Sequence, residues 1–228
     1  RGLGDVYKRQ AHKCITEMKE SFGYNFDGIG QPEMELIVSH LLEGMKENRV
    51  KMPIIDITNR LGFTVYQFPF TKEGCIQPVK AFFGINAEFS MNENSNYFLI
   101  EKNMSNEDKR FFVAYLLAHY LLDIDERHTD FFQLAVTKKD IKNNTYTRLA
   151  LTLLMPENIF RAQLEFLQAS YRVANRENEL NPKMTIYRLS RIFQVTPNMV
   201  RARMIQLNIS LVNKKKIEEV LEEATSNE

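Results

Sequence analysis

The chain has 228 residues and a formal net charge of +1, with 44% hydrophobic and 26% charged residues. This globular composition allows one sizeable domain or two small ones, and the near-neutral charge gives no general argument for nucleic-acid or membrane binding. No apolar run approaches the roughly 20 residues of a membrane span, and no signal peptide is visible. Cys14 and Cys75 are far apart and not in a metal-binding spacing. We therefore expect a reduced, cytoplasmic protein that does not bind membranes.

The N-terminal segment contains little that predicts a site. Residues 1–10 look like translated sequencing-adapter read-through, which predicts a non-native segment outside the fold. Residues 11–22 predict a short helix, and a glycine-rich loop follows. A further helix is predicted from Pro32, because apolar residues then recur at helical spacing.

Residues 53–100 predict a short helix and a small sheet. The helix is expected to end at Gly62, a good C-terminal breaker. Alternating β-branched and aromatic residues predict strands at 63–68, 76–89 and 97–100, with a polar turn at 91–96. Three or more strands therefore precede the next helix.

The segment from Ser105 onward predicts an almost wholly apolar helix, with a capping-box-like start. Tyr115, His119 and Asp123 are spaced by four residues, so they stand on one face of this helix. Zinc peptidases of the HExxH type use this spacing: two histidines at i and i+4 bind the metal, and the glutamate at i+1 activates the water. Here His119 occupies the second histidine position, whereas Tyr115 and Leu116 replace the first histidine and the glutamate.

The chain after this helix is again mainly helical. Residues 131–136 are short and apolar. Two long helices are predicted at about 139–155 and 157–174, separated by Pro156. The polar residues 175–182 predict a linker.

Residues 183–213 have the pattern of a helix-turn-helix, with Thr196 as the cap and Pro197 as the first residue of the second helix. Residues 183–216 contain eight Lys and Arg but no Asp or Glu. The residues predicted on or near the exposed side of the second helix, where they could contact DNA or a partner protein, are Arg201, Arg203 and Gln206. Residues 214–228 form a charged tail.

In their order and spacing, these segments resemble the ImmA/IrrE family of zinc metallopeptidase-like proteins over about residues 34–210. The resemblance rests on the strands followed by the helix with the degenerate HExxH motif, on the Leu-Leu-Met-Pro sequence ending at Pro156, and on the downstream helix-turn-helix. It implies an α+β, zincin-like domain over 11–174 with a small mixed sheet, followed by a helix-turn-helix module at 183–213. It also implies a zinc ion held by two histidines and a downstream acid, a glutamate base, and cleavage of helix-turn-helix repressors of mobile elements or stress regulons.

Carried onto this sequence, the family's site keeps one of its four functional positions. His119 matches the second zinc histidine, and Asn143, a poor neutral ligand, stands where the third ligand is expected. Catalysis needs a metal-bound water and a base, and Leu116 cannot accept a proton. We therefore predict no catalytic residue, with Tyr115 and His119 filling the former cleft and bonding to each other or to Asn143.

The resulting hypothesis is a pseudoenzyme that regulates transcription by binding a protein, such as a helix-turn-helix repressor or mobile-element regulator. Two alternatives remain open. An active zinc endopeptidase would need unconventional ligands, with Asp123, His128 or Asp140 joining His119. A DNA-binding regulator would use the basic span 183–216. No cofactor is expected, apart from zinc if the site still functions.

Overall fold

The computed structural model describes residues 29–42, 50–69, 87–92, 96–123, 131–136, 144–173 and 181–211, and also Glu17, which is helical. Some predicted features lie outside these residues and stay predictions: the adapter-like segment 1–10, most of the helix at 11–22, most of the linker at 175–182, His128, Asp140, Asn143 and the charged tail 214–228.

The described part of the chain forms seven helices and four strands. In chain order they are α1 (Gln31–Leu42), α2 (Ile54–Arg60), β1 (Thr64–Phe68), β2 (Ala87–Asn92), β3 (Asn96–Glu101), α3 (Asn106–Asp123), β4 (Phe131–Val136), α4 (Thr145–Leu154), α5 (Glu157–Val173), α6 (Pro182–Phe193) and α7 (Pro197–Gln206). This is the predicted α+β class, with three strands before the central helix and one after it. The short apolar segment 131–136, for which the sequence predicts no element, forms β4.

The four strands form one mixed sheet in the order β1–β3–β2–β4. Strands β1 and β3 are parallel, with Thr64 opposite Tyr97, whereas β2 is antiparallel to both β3 and β4. The β2–β3 pairing extends to Met91 opposite Asn96. The predicted turn at 91–96 is therefore too long, because Met91 and Asn92 belong to β2 and Asn96 belongs to β3. A small mixed sheet of this kind is consistent with the zincin-like domain that the resemblance implies.

Helix α3 lies in the centre of the core. The Ser105 hydroxyl accepts a hydrogen bond from the backbone N–H of Asp108 at 3.1 Å, so the predicted cap is present. All residues from Phe111 to Leu122 are buried, and a helix that is apolar on every side is a core helix. It packs against the sheet, α2 and α4. This packing holds His119 in a defined position.

Local signals set the ends of the neighbouring helices. Gly62 follows α2 with a φ of 91°, a conformation that residues with a β-carbon rarely adopt. Asn144 has extended backbone, and its side chain accepts a hydrogen bond from the N–H of Thr147. Helix α4 therefore begins at Thr145, whereas the periodicity predicts a start at about residue 139. Pro156 separates α4 from α5, as predicted.

Helix α7 begins where the sequence predicts, at Pro197, whereas α6 begins at Pro182, the last residue of the predicted linker. Asn181 caps α6, and the Thr196 hydroxyl accepts a hydrogen bond from the N–H of Met199 in the first turn of α7. Gln194, between the helices, adopts a left-handed conformation with a φ of 52°. Helix α7 packs on α4 and α6. Whether the pair works as a helix-turn-helix module stays a prediction.

Arg203 of α7 is completely buried, with a relative exposure of 0%. The prediction that it lies on or near the exposed side of its helix is therefore wrong. Its Nε donates to the carbonyl of Met155 at 2.8 Å and its Nη1 to Thr152 Oγ1 at 3.0 Å. Its Nη2 forms an ion pair with Glu35 of α1. Arg203 Nη1 also donates to Gln206, in the next turn of α7. Helical periodicity alone could not show the burial of Arg203, because its other partners lie at least 48 residues away in sequence.

Glu35 extends this contact to a further helix. Its two carboxylate oxygens accept the backbone N–H of Glu157, at the start of α5, at 3.1 and 3.2 Å. An acid at a helix N-terminus is favourable because it meets unpaired N–H groups and the positive end of the helix dipole. Burial lowers the pKa of Arg203, and the charge of Glu35 opposes that effect. We call Glu35, Thr152, Met155, Arg203 and Gln206 the Arg203 network; it joins α1, α4, α5 and α7.

We expect Glu35→Gln to destabilise the protein by roughly 3 kcal/mol, because removing one partner of a buried ion pair leaves the other charge uncompensated. Urea denaturation followed by circular dichroism measures the change in the free energy of unfolding.

A matched comparison of two arginines of α7 tests the other partner of the ion pair. Arg201 is exposed and donates to Asn198 at 2.8 Å, one turn earlier. Arg201→Met should change stability by less than about 0.5 kcal/mol, whereas Arg203→Met should cost several times more. Equal effects of the two substitutions would contradict a structural role for the Arg203 network.

Candidate functional site

The three residues of the predicted stripe on α3 lie together, as expected from their spacing. Tyr115 and His119 are buried, and Asp123, the last residue of the helix, is exposed. Leu116, at the position of the family's glutamate base, has a relative exposure of 0%. The place of the base is therefore filled by an apolar side chain within the core.

His119 forms its hydrogen bond with Asp123, with Nδ1 and Oδ2 2.7 Å apart. The sequence predicts instead a bond between His119 and either Tyr115 or Asn143. Of these, Tyr115 makes an edge-on ring contact with His119, with centroids 4.9 Å apart, and Asn143 lies outside the described residues. His119 bonds to Asp123 because an ionised carboxylate one helical turn away is a stronger acceptor than a phenol.

Tyr146, in the first turn of α4, completes the group. Its hydroxyl donates to Asp123 Oδ1 at 2.6 Å, and its ring stacks on the imidazole of His119 with centroids 3.7 Å apart and planes 13° apart. Both oxygens of Asp123 are thus engaged. We call Tyr115, His119, Asp123 and Tyr146 the His119 cluster.

Sequence reasoning missed Tyr146, although one signal pointed to a partner of this kind. An acid at a helix C-terminus faces the negative end of the dipole, so Asp123 needs a compensating donor. That donor comes from another helix, 23 residues further along the chain. No local spacing rule connects the two residues.

The geometry also determines the chemistry of the imidazole. An ionised Asp123 can only accept a hydrogen bond, so it pairs with Nδ1–H, and the neutral ring keeps its lone pair on Nε2. Metal-binding histidines are commonly oriented by a carboxylate in this way. His119 could therefore offer one nitrogen to a metal, but Tyr146 covers one face of its ring.

The described residues do not fit the zinc ion that the family implies. Catalytic zinc sites use three protein ligands and structural sites use four. Within the described part of the chain, no group of three or more His, Cys, Asp or Glu residues is placed to hold a metal. His119 has Tyr115 where the second imidazole would stand, and Asp123 is already bonded to His119 and Tyr146.

Of the contact residues predicted on α7, the structure keeps Arg201 exposed but turns the other two inward. Gln206 is half-buried; its amide donates to the carbonyl of Arg148 at 3.0 Å, and its oxygen accepts from Arg203 at 3.1 Å. Two of the three side chains therefore serve intramolecular packing.

The sequence of the chain matches one family. Residues 79–204, more than half of the chain, match the sequence profile of peptidase M78, described as the IrrE N-terminal-like domain. No curated protein and no solved structure matched the chain. Among the described helices, none is both long and apolar enough to cross a membrane.

We expect nitrogen NMR of the neutral His119 ring to show the proton on Nδ1, because Nδ1–H donates a hydrogen bond to Asp123. Asp123→Ala should move the proton to Nε2, the tautomer that an unconstrained histidine favours. Asp56→Ala, a loss of an acid on α2, should leave the His119 tautomer unchanged. A wild-type ring protonated on Nε2 would show that the Asp123 contact does not orient the imidazole.

Proposed function

The chain belongs to the peptidase M78 family of IrrE N-terminal-like domains, and from this premise we propose that it is a catalytically inactive member that regulates by binding a protein. The partner class we propose is a helix-turn-helix repressor or another regulator of a mobile element. The observation that carries the proposal is the His119 cluster, in which the one retained ligand is bonded and stacked within the protein itself.

Loss of peptidase chemistry is supported at each step that hydrolysis requires. A water must be bound and acidified by the metal, and a base must take its proton. Leu116 supplies no base. Tyr115 supplies no imidazole, and its ring is used in a contact with His119. What these residues do together is fill and order the region where the family's chemistry would take place.

Retention of the scaffold supports a binding role. Helix α3 remains fully packed and capped, and the Arg203 network ties the C-terminal helices to the body. Recognition of a partner depends on surfaces and can be kept when the catalytic residues are replaced. We therefore propose that selection for partner binding, without cleavage, maintains this fold.

The two alternatives have weaker support. An active zinc peptidase would use Nε2 of His119 together with ligands in addition to Asp123. A DNA-binding regulator would use the acid-free basic span 183–216, in which Arg201 is exposed. Against it, Arg203 and Gln206 face the body of the protein and are not available to a DNA groove.

We expect the purified protein to contain substoichiometric zinc and to leave intact any helix-turn-helix repressor that is encoded beside its gene. Metal analysis and electrophoresis of the incubated pair measure the two properties. His119→Ala should behave like the wild type, and His40→Ala controls for the loss of any histidine. Stoichiometric zinc together with cleavage that His119→Ala abolishes would establish the active alternative.

We expect calorimetry to show that the same repressor binds equally well to the wild type and to His119→Ala. Absence of binding to both proteins would remove the proposed partner. A gel shift distinguishes the DNA alternative, since phosphate contacts make binding fall steeply with salt. A salt-sensitive shift that Arg201→Gln weakens would favour DNA over a protein partner.

A further inference from the structure

A cavity lies away from the His119 cluster, between the segment before α2 and the start of α3. It is a cleft of about 530 Å³. Its walls carry two cations, Lys51 and Arg110, with Asp56 and the apolar side chains of Val50, Pro53 and Ile55. We call it the Arg110 cleft. Its position separates it from both the former peptidase site and the basic surface of α7.

Arg110 is incompletely satisfied among the described residues. A guanidinium has five N–H donors, and the recorded bond runs from Nη2 to the carbonyl of Met52 at 3.0 Å. Its Nε is buried and has no hydrogen-bond partner in the described part of the protein. Buried donors are nearly always paired, so an orphaned one at the wall of a cavity needs an explanation.

The charge of Arg110 is also poorly compensated. Burial lowers its pKa, and the carboxylate of Glu107, one turn earlier on α3, opposes that shift. No ion pair of Arg110 is recorded among the described residues. Asp56, on the same cleft, already has an interaction partner of its own. The guanidinium therefore lacks the planar carboxylate that its fork of donors fits best.

From these observations we propose that the Arg110 cleft binds a carboxylate attached to an apolar group. Arg110 holds the carboxylate, and Lys51, which is exposed at the cleft, adds a second positive charge. The apolar walls receive the rest of the ligand; Ile55 leaves 48% of its surface exposed there. Because Nε is buried, a two-point pair with the carboxylate requires the guanidinium to turn toward the cleft.

The nearby acids narrow the ligand class. Asp56 on the cleft and Glu107, which acts on Arg110, offset much of the positive potential of the two cations. The doubly charged phosphate then gains little attraction for its larger desolvation cost, which disfavours it relative to a carboxylate. A carboxylate beside an apolar side chain occurs at the C-terminus of a peptide and in a small acylated amino acid. This inference does not depend on the proposed function, since no residue of the His119 cluster takes part.

Titration calorimetry on the full chain tests the proposal with four probes: N-acetyl-leucine, N-acetyl-leucinamide, an acetylated Ala-Ala-Leu peptide with a free C-terminus, and inorganic phosphate. We expect the two carboxylate probes to bind about tenfold more tightly than the amide or phosphate. Tighter binding of the peptide identifies a chain terminus as the ligand, and tighter binding of N-acetyl-leucine identifies a small acid. No binding by either carboxylate, or equal binding of the amide, overturns the proposal.

Two variants and a control assign the binding to the cleft. Arg110→Gln should weaken carboxylate binding at least about tenfold, because the amide cannot form a charged two-point pair. Lys51→Met, at an exposed position that does not threaten folding, should weaken it severalfold. Lys183→Met, an equal change at an exposed position on α6, should have no effect. Unchanged affinity in Lys51→Met and in folded Arg110→Gln would exclude the Arg110 cleft as the site.

Discussion

The buried ion pair between Arg203 and Glu35 is the interaction on which the arrangement of the helices depends. A charged guanidinium in the core is tolerable only when its donors and its charge are matched. Here the match comes from a carboxylate, a hydroxyl and a carbonyl contributed by other helices. Because Glu35 also accepts from the start of α5, moving any one of these elements would leave the guanidinium or the helix end without partners.

The Arg203–Glu35 ion pair changes how the basic span 183–216 is interpreted. Positive charge without nearby acids in the sequence suggests a nucleic-acid surface. In the folded chain, one of those charges neutralises Glu35, and Gln206 closes the same contact from the next turn of α7. The face of α7 that carries these two residues therefore holds the C-terminal helices on the body, while Arg201 on another face stays exposed.

At the position of the family's peptidase site, the helical scaffold is kept, while Tyr115 and Leu116 stand where the family has its first histidine and its glutamate. The α3 helix keeps the cap, the packing and the four-residue spacing of a metallopeptidase helix. Its polar face, however, is closed by contacts within the protein, with Asp123 bonded to both His119 and Tyr146. A polar network whose members bond to one another is stable without a metal. The same scaffold can therefore persist after its ligands are replaced.

From the sequence we could predict the class of the fold, the course and the cap of α3, the cap of α7, and the family, because periodicity, capping and motif order act over a few residues. It also showed that Tyr115 and Leu116 cannot supply zinc-peptidase chemistry, since that follows from side-chain type alone. Only the tertiary structure decided that Arg203 is buried and that Tyr146 completes the His119 cluster. Those outcomes depend on side chains that are distant in sequence and come into contact only when the helices pack, and local sequence patterns do not predict such contacts.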